Sequence, residues 1–122
     1  MKIEVSIGEV VDKWTILSIK FLNITDKDKL ANVLTERTYL NEMIPPEILH
    51  DSSTDELLNI NKMLWDVEDR LRDCERDKLF DEHFVQLARS VYMLNDKRAA
   101  LKKEINIKYG SEFVEEKSYR PY

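Results

Sequence analysis

Several charged or amide side chains stand where an amphipathic helix should carry aliphatic ones, and that misplacement could support chemistry. With residues set about 100° apart around a helix axis, Asn95, Arg98 and Lys102 share the sector of Phe84, Val91 and Tyr109. Glu68 lies between the directions of Leu64 and Leu71, with Asn61 and Glu75 close by and Arg72 at the border. Arg37 and Asn41 run along the line of Leu30, Val33 and Ile44, while Glu9, Lys13 and Lys20 flank the apolar face of the first helix. A cavity between helices in which Arg37, Arg98 and Lys102 converge, with Asn95 and Lys13 beside them, would hold a small carboxylate or phosphate. Glu68 would then act as acid, base or orienting acceptor. Two other outcomes satisfy the same residues: ion pairs and hydrogen bonds that fix helix register, or burial in a protein interface.

Other chemistry is poorly supplied. Asp66, Asp69 and Asp73 share one helix face, but that face is opposite Leu64 and Leu71 and is interleaved with Lys62, Arg70 and Arg76, as on a solvated side. His50 and His83 have no histidine three or four residues away, so no metal site and no cofactor is implied. Cys74 is the only cysteine, which rules out an internal disulfide and fits a packing role in a reducing, cytoplasmic setting. Ser90 lacks a neighbouring base, and with Gly8 and Gly110 the only glycines there is no phosphate-binding loop.

The elements that must position these residues follow from spacing and caps. Ser6-Ile7-Gly8-Glu9 reads as a capping box that opens a helix with Ile7, Val10, Trp14, Leu17, Phe21 and Ile24 on one stripe, taken as its core face. Asp26 caps a second helix, with Leu30, Val33, Leu34, Leu40 and Ile44 inward, which Pro45-Pro46 ends ahead of a polar connection through Asp51 to Ser53. Ser53-Thr54-Asp55-Glu56 reads as a second capping box for a third helix that runs to about Leu79. Asp81 caps the last helix, and Gly110 suits the left-handed position after its end. The last two helices, each roughly 35–40 Å long at the standard rise, form an antiparallel hairpin in which Asn61 and Glu68 face Arg98 and Asn95. Residues 111–122 form an extended tail that either straps the bundle or hangs free.

Composition sets the frame around this reading. A chain of 122 residues supports one core, and its two glycines and three prolines are too few for the hairpins of a β fold. The expected fold is all-α: a single domain over 1–122, an antiparallel bundle of about four helices with a long C-terminal hairpin. With a net charge of −5 and interspersed signs, no basic stripe is available to a nucleic acid. No segment approaches a membrane span or the apolar run of a signal peptide.

The runs Ser6 to Leu17, Leu64 to Asp69, Leu87 to Tyr92, Asn95 to Arg98 and Glu115 to Tyr119 resemble a small family of helical proteins of unknown function from bacteria and marine bacteriophages. The resemblance implies a compact intracellular helical protein and no particular substrate. Its motif positions include Glu9, Lys13, Glu68, Arg89, Asn95 and Arg98. The leading expectation is a non-catalytic interaction or regulatory protein that self-associates through helical faces. The rival is an enzyme or binding protein with an interhelical site for an anionic ligand.

Overall fold

The computed structural model describes residues 1–122 and contains five helices and no strand: α1 (Ile7–Asn23), α2 (Lys27–Met43), α3 (Pro46–Leu49), α4 (Ser52–Asp77) and α5 (Glu82–Lys108). Helix starts follow local side-chain chemistry. The side-chain oxygens of Ser6, Asp26 and Asp81 each accept the backbone N–H three residues on, from Glu9, Lys29 and Phe84. α4 departs from the expected start: Asp51, not Ser53, is its cap and accepts from the Ser53 N–H at 2.8 Å. Ser53 and Thr54 are consequently buried inside the first turn, with the Thr54 hydroxyl donating to the Ile48 carbonyl at 2.6 Å. The polar connection expected through Asp51 to Ser53 is instead the cap and first turn of α4, and the residues after Pro45 form the single turn α3, whose first residue, Pro46, needs no N–H there.

α5 ends as its glycine requires. Gly110 sits at φ 66°, the Gly110 N–H bonds to the Ile107 carbonyl, and the Ser111 N–H reaches back to the Asn106 carbonyl at 2.8 Å. This pair of bonds satisfies carbonyls that would otherwise be orphaned at the helix end. The turn between α4 and α5 uses Lys78 in the left-handed conformation, φ 54°, to reverse the chain within four residues.

α4 and α5 form the long antiparallel hairpin, and α1 lies along its base, parallel to α4 and antiparallel to α5; α2 folds back on the other side of α1. α1 is therefore the middle layer and buries two faces. Gly8, Val11, Asp12, Thr15 and Ile19 turn toward the hairpin and are buried, whereas Trp14 and Phe21 lie under Arg37 of α2. The stripe read from the sequence does meet the core, with Leu17 buried in it and Ile7, Val10, Trp14 and Ile24 packed against it, while Phe21 remains 40% exposed. The contiguous core collects Val11, Leu17, Val33, Leu40, Ile44, Ile48, Leu57, Leu101 and Ile105 at the base of the hairpin. No helix is long and apolar enough to cross a membrane.

The α1–α5 crossing is close enough to require glycine. A Cβ on Gly8 would stand 2.5 Å from the Lys102 carbonyl oxygen, a backbone atom that cannot swing away. The exchange Gly8→Ala should therefore lower stability by about 1–3 kcal/mol through overpacking, although alanine favours an isolated helix by about 1 kcal/mol. Urea unfolding of the variant measures the sign; a stabilised protein would show that the helices do not approach this closely.

Candidate functional site

The polar residues that the sequence places on apolar faces meet in a ladder between α1, α4 and α5. At its centre the Asp12 carboxylate, 2% exposed, accepts from Arg98 Nε at 2.9 Å and Nη2 at 2.5 Å. Asn61 of α4 donates to the same carboxylate at 2.8 Å and to the Thr15 hydroxyl at 2.8 Å, while that hydroxyl donates to the Asp12 carbonyl. One helical turn along α5, Lys102 donates to Glu9 at 2.7 Å and to Glu115 of the C-terminal segment at 3.0 Å. A further turn on, the Asn106 side-chain Oδ1 accepts from the Gly8 N–H at 2.6 Å. The spacing of 98, 102 and 106 on α5 against 12, 9 and 8 on α1 is what two antiparallel helices produce.

Electrostatics follow the geometry. The bidentate bond to Asp12 raises the Arg98 pKa above the ordinary value, against the opposing effect of burial. Burial penalises the Lys102 ammonium, but its hydrogen bonds to Glu9 and Glu115 outweigh that and raise its pKa as well. Glu115 is held below the usual carboxylate range by Lys117 and Lys102. A second buried carboxylate, Asp51, takes Lys108 Nζ and the Tyr109 hydroxyl, both at 2.5 Å, and lies well below the usual range because of those donors and the Ser53 N–H. This clamp fastens the start of α4 to the end of α5.

Of the six residues expected to share a site, the structure brings three together. Asn95, Arg98 and Lys102 line one side of a groove of about 510 Å³ between α5 and the C-terminal segment. Lys13 instead pairs with Glu36 at 2.8 Å on the exposed α1–α2 edge. Arg37 donates to the Ser18 hydroxyl at 3.0 Å and covers Trp14 and Phe21. Glu68 is exposed and sits 3.6 Å from Arg72. It continues the line of Asn61 two turns further along α4, at the level where Leu22 and Asn23 end α1 beside Trp65 and Asp69, so nothing covers it. Asn41 is exposed as well, on a helix that packs mainly on α1. The Asp66, Asp69 and Asp73 face carries ion pairs to Arg70, Arg72 and Arg76, and no group of three His, Cys, Asp or Glu side chains converges for a metal.

The central carboxylate, Asp12, escapes a reading by apolar stripe because it lies opposite the Trp14 face. The signal available was the run of small or β-branched residues at Gly8, Val11, Thr15 and Ile19, a pattern suited to close helix approach with Asp12 in its midst. The capping box at Ser6 is only half formed: the Glu9 N–H donates to Ser6, but the Glu9 carboxylate goes to Lys102.

A family model, Family of unknown function (DUF6165), matches residues 1–121. The chain belongs to this family. Neither a curated protein nor a solved structure matches the chain. Within the family's span, both the Asp12 ladder and the groove over Arg98 and Lys102 are included.

Two outcomes check this geometry. Replacing Arg98 with Met leaves a buried carboxylate facing only Asn61 and should cost about 3–5 kcal/mol. The Asp12→Asn/Arg98→Met double variant should recover part of that loss in a double-mutant cycle, and additive losses would show that the pair does not interact. For Asp51, the folded carboxylate titrates below its unfolded value of 3.8, so the unfolded chain takes up the proton first as pH falls. Its stabilisation is complete above about pH 5 and is lost as pH drops from there toward the folded pKa. Asp51→Asn, which retains a capping side chain, should be less stable at neutral pH and should flatten the acid limb of urea midpoint against pH. An unchanged limb would place the acid sensitivity elsewhere.

Proposed function

We propose that the protein acts by binding protein surfaces, in the first place a second copy of itself, and not by catalysis. The observation that carries this reading is the outer half of the α4–α5 hairpin. No side-chain hydrogen bond or ion pair joins residues 70–90 to α1, α2 or α3, and only the seam residues Cys74 and Leu87 are buried there. Leu79 and Phe80 at the tip are 55% and 53% exposed, with Val85 also exposed on the adjoining turn of α5 and Phe84 only partly covered.

Surface area supports the same reading. The chain exposes 8713 Å² at a mass of 14.5 kDa, where a compact monomer of that mass exposes about 6,900 Å². Both the projecting hairpin and the extended C-terminal segment contribute to the surplus. It exceeds the roughly 800 Å² per partner that a stable interface needs. Two hairpins packed side by side would form a four-helix unit and cover the apolar tip. The lone Cys74, a buried free thiol, is consistent with action in a reducing cytoplasm.

The alternative of a small anionic ligand has one point in its favour, the convergence of Arg98 and Lys102 at the groove. Against it, each cation already has a carboxylate partner, so an incoming acid would have to displace Glu115 from Lys102. Light scattering on the eluting protein tests the leading proposal: the wild type should run at twice the chain mass, and Leu79→Glu/Val85→Glu should run as a monomer with unchanged helical circular dichroism. A wild type that stays monomeric at its highest soluble concentration, or a variant that still dimerises, would overturn it.

A further inference from the structure

The groove between α5 and the C-terminal segment is better suited to a different ligand from the acid that its basic residues suggest. Its positive charges are spent. Arg98 gives Nε and Nη2 to Asp12, Lys102 is divided between Glu9 and Glu115, and Lys117 lies 3.0 Å from Glu115. The remaining walls are aromatic and acidic. Tyr92 and Asp96 stand one turn apart on the same face of α5. The Tyr122 ring meets Tyr92 edge to face, with centroids 5.3 Å apart and planes at 74°, so the two rings form a corner. Tyr119 lines the same groove from the C-terminal segment.

Asp96 makes no ion pair. Its carboxylate lies close enough to Tyr122 to raise that tyrosine's pKa, and an ionised carboxylate offers several acceptor positions and no donor. Aromatic faces meeting at an angle, with an acceptor-only anion beside them, are the surroundings in which an organic cation is held: the ring quadrupoles attract the charge and the carboxylate completes its neutralisation. The chain's net charge of −5 favours the approach of a cation over that of an anion. A volume of about 510 Å³ is ample for an alkylammonium head and part of its chain.

We infer that this groove binds an organic ammonium ion, with Tyr92, Tyr119 and Tyr122 around the cationic head and Asp96 as its counter-ion. The inference is independent of self-association, since the groove lies on α5 toward the base and the proposed interface lies at the hairpin tip. The ammonium could belong to a free metabolite or to a methylated lysine side chain, and the shared chemistry is the alkylated cation.

Isothermal titration and tyrosine fluorescence on the full chain test it, with choline, trimethyllysine and, as the neutral carbon isostere of choline, dimethylbutanol. The two cations should bind and the isostere should not. Preference for trimethyllysine over choline would point to a modified side chain as the source, and the reverse to a free metabolite. Asp96→Asn and Tyr92→Leu alter exposed side chains, so both should fold, and each should weaken binding by about three- to tenfold. Equal binding of the isostere, binding of citrate or phosphate in place of the ammonium compounds, affinity unchanged in both variants, or no binding of either cation would each overturn the assignment.

Discussion

The fold depends on one buried carboxylate finding its partners. Asp12 is shielded from water almost completely, and an ionised group in that position is tolerable only when its lone pairs are filled. Two come from the fork of Arg98 and one from Asn61, which means that α1, α4 and α5 must be at one level before the charge is satisfied. Aliphatic contacts between these helices would tolerate a slip of one turn, whereas this arrangement does not. The buried pair is therefore better understood as setting register than as adding stability, because its Coulombic gain is largely spent on desolvation.

The same ladder explains how much of the molecule could be read in advance. The all-helical class, the hairpin, the caps at Ser6, Asp26 and Asp81 and the αL glycine were legible, because each is a local matter of side chains bonding to nearby backbone. The meeting of Asn61 and Arg98 at one level was also legible, from hairpin geometry alone. What was not legible was which face of α1 meets which neighbour. A helix in the middle of three layers buries opposite sides, and a single amphipathic stripe describes only one of them; that is why Trp14 stood out and Asp12 did not. Glu68 shows the complementary failure: helical angle gives its direction correctly, but whether another helix is present at that height depends on where α1 ends.

The base and the tip of the hairpin differ accordingly. At the base, residues from all five helices share a packed core, with matched charges beside it. At the tip only two helices meet, and the apolar side chains there face outward. The groove sits between these regimes, floored by a rigid helix and walled by a segment whose residues from 112 onward are all exposed. Exposed ion pairs such as Lys103 with Glu116 hold that segment weakly, each contributing about 0–1 kcal/mol.

The bond between Asp12 and Arg98 spans 86 positions of the chain, and this separation has a bearing on biosynthesis. While the polypeptide is emerging, the first helix has no guanidinium to meet its acid, and its small-residue face has no surface to lie against. The α1–α2 pair can form early through Trp14, Phe21 and Arg37, but docking onto the hairpin must wait for the last third of translation. Closing so long a loop delays the final step and raises contact order in a class of protein usually rich in local contacts. Until Arg98 has been made, the Asp12 carboxylate has no guanidinium to meet, and leaving it in water costs less than burying it unpaired.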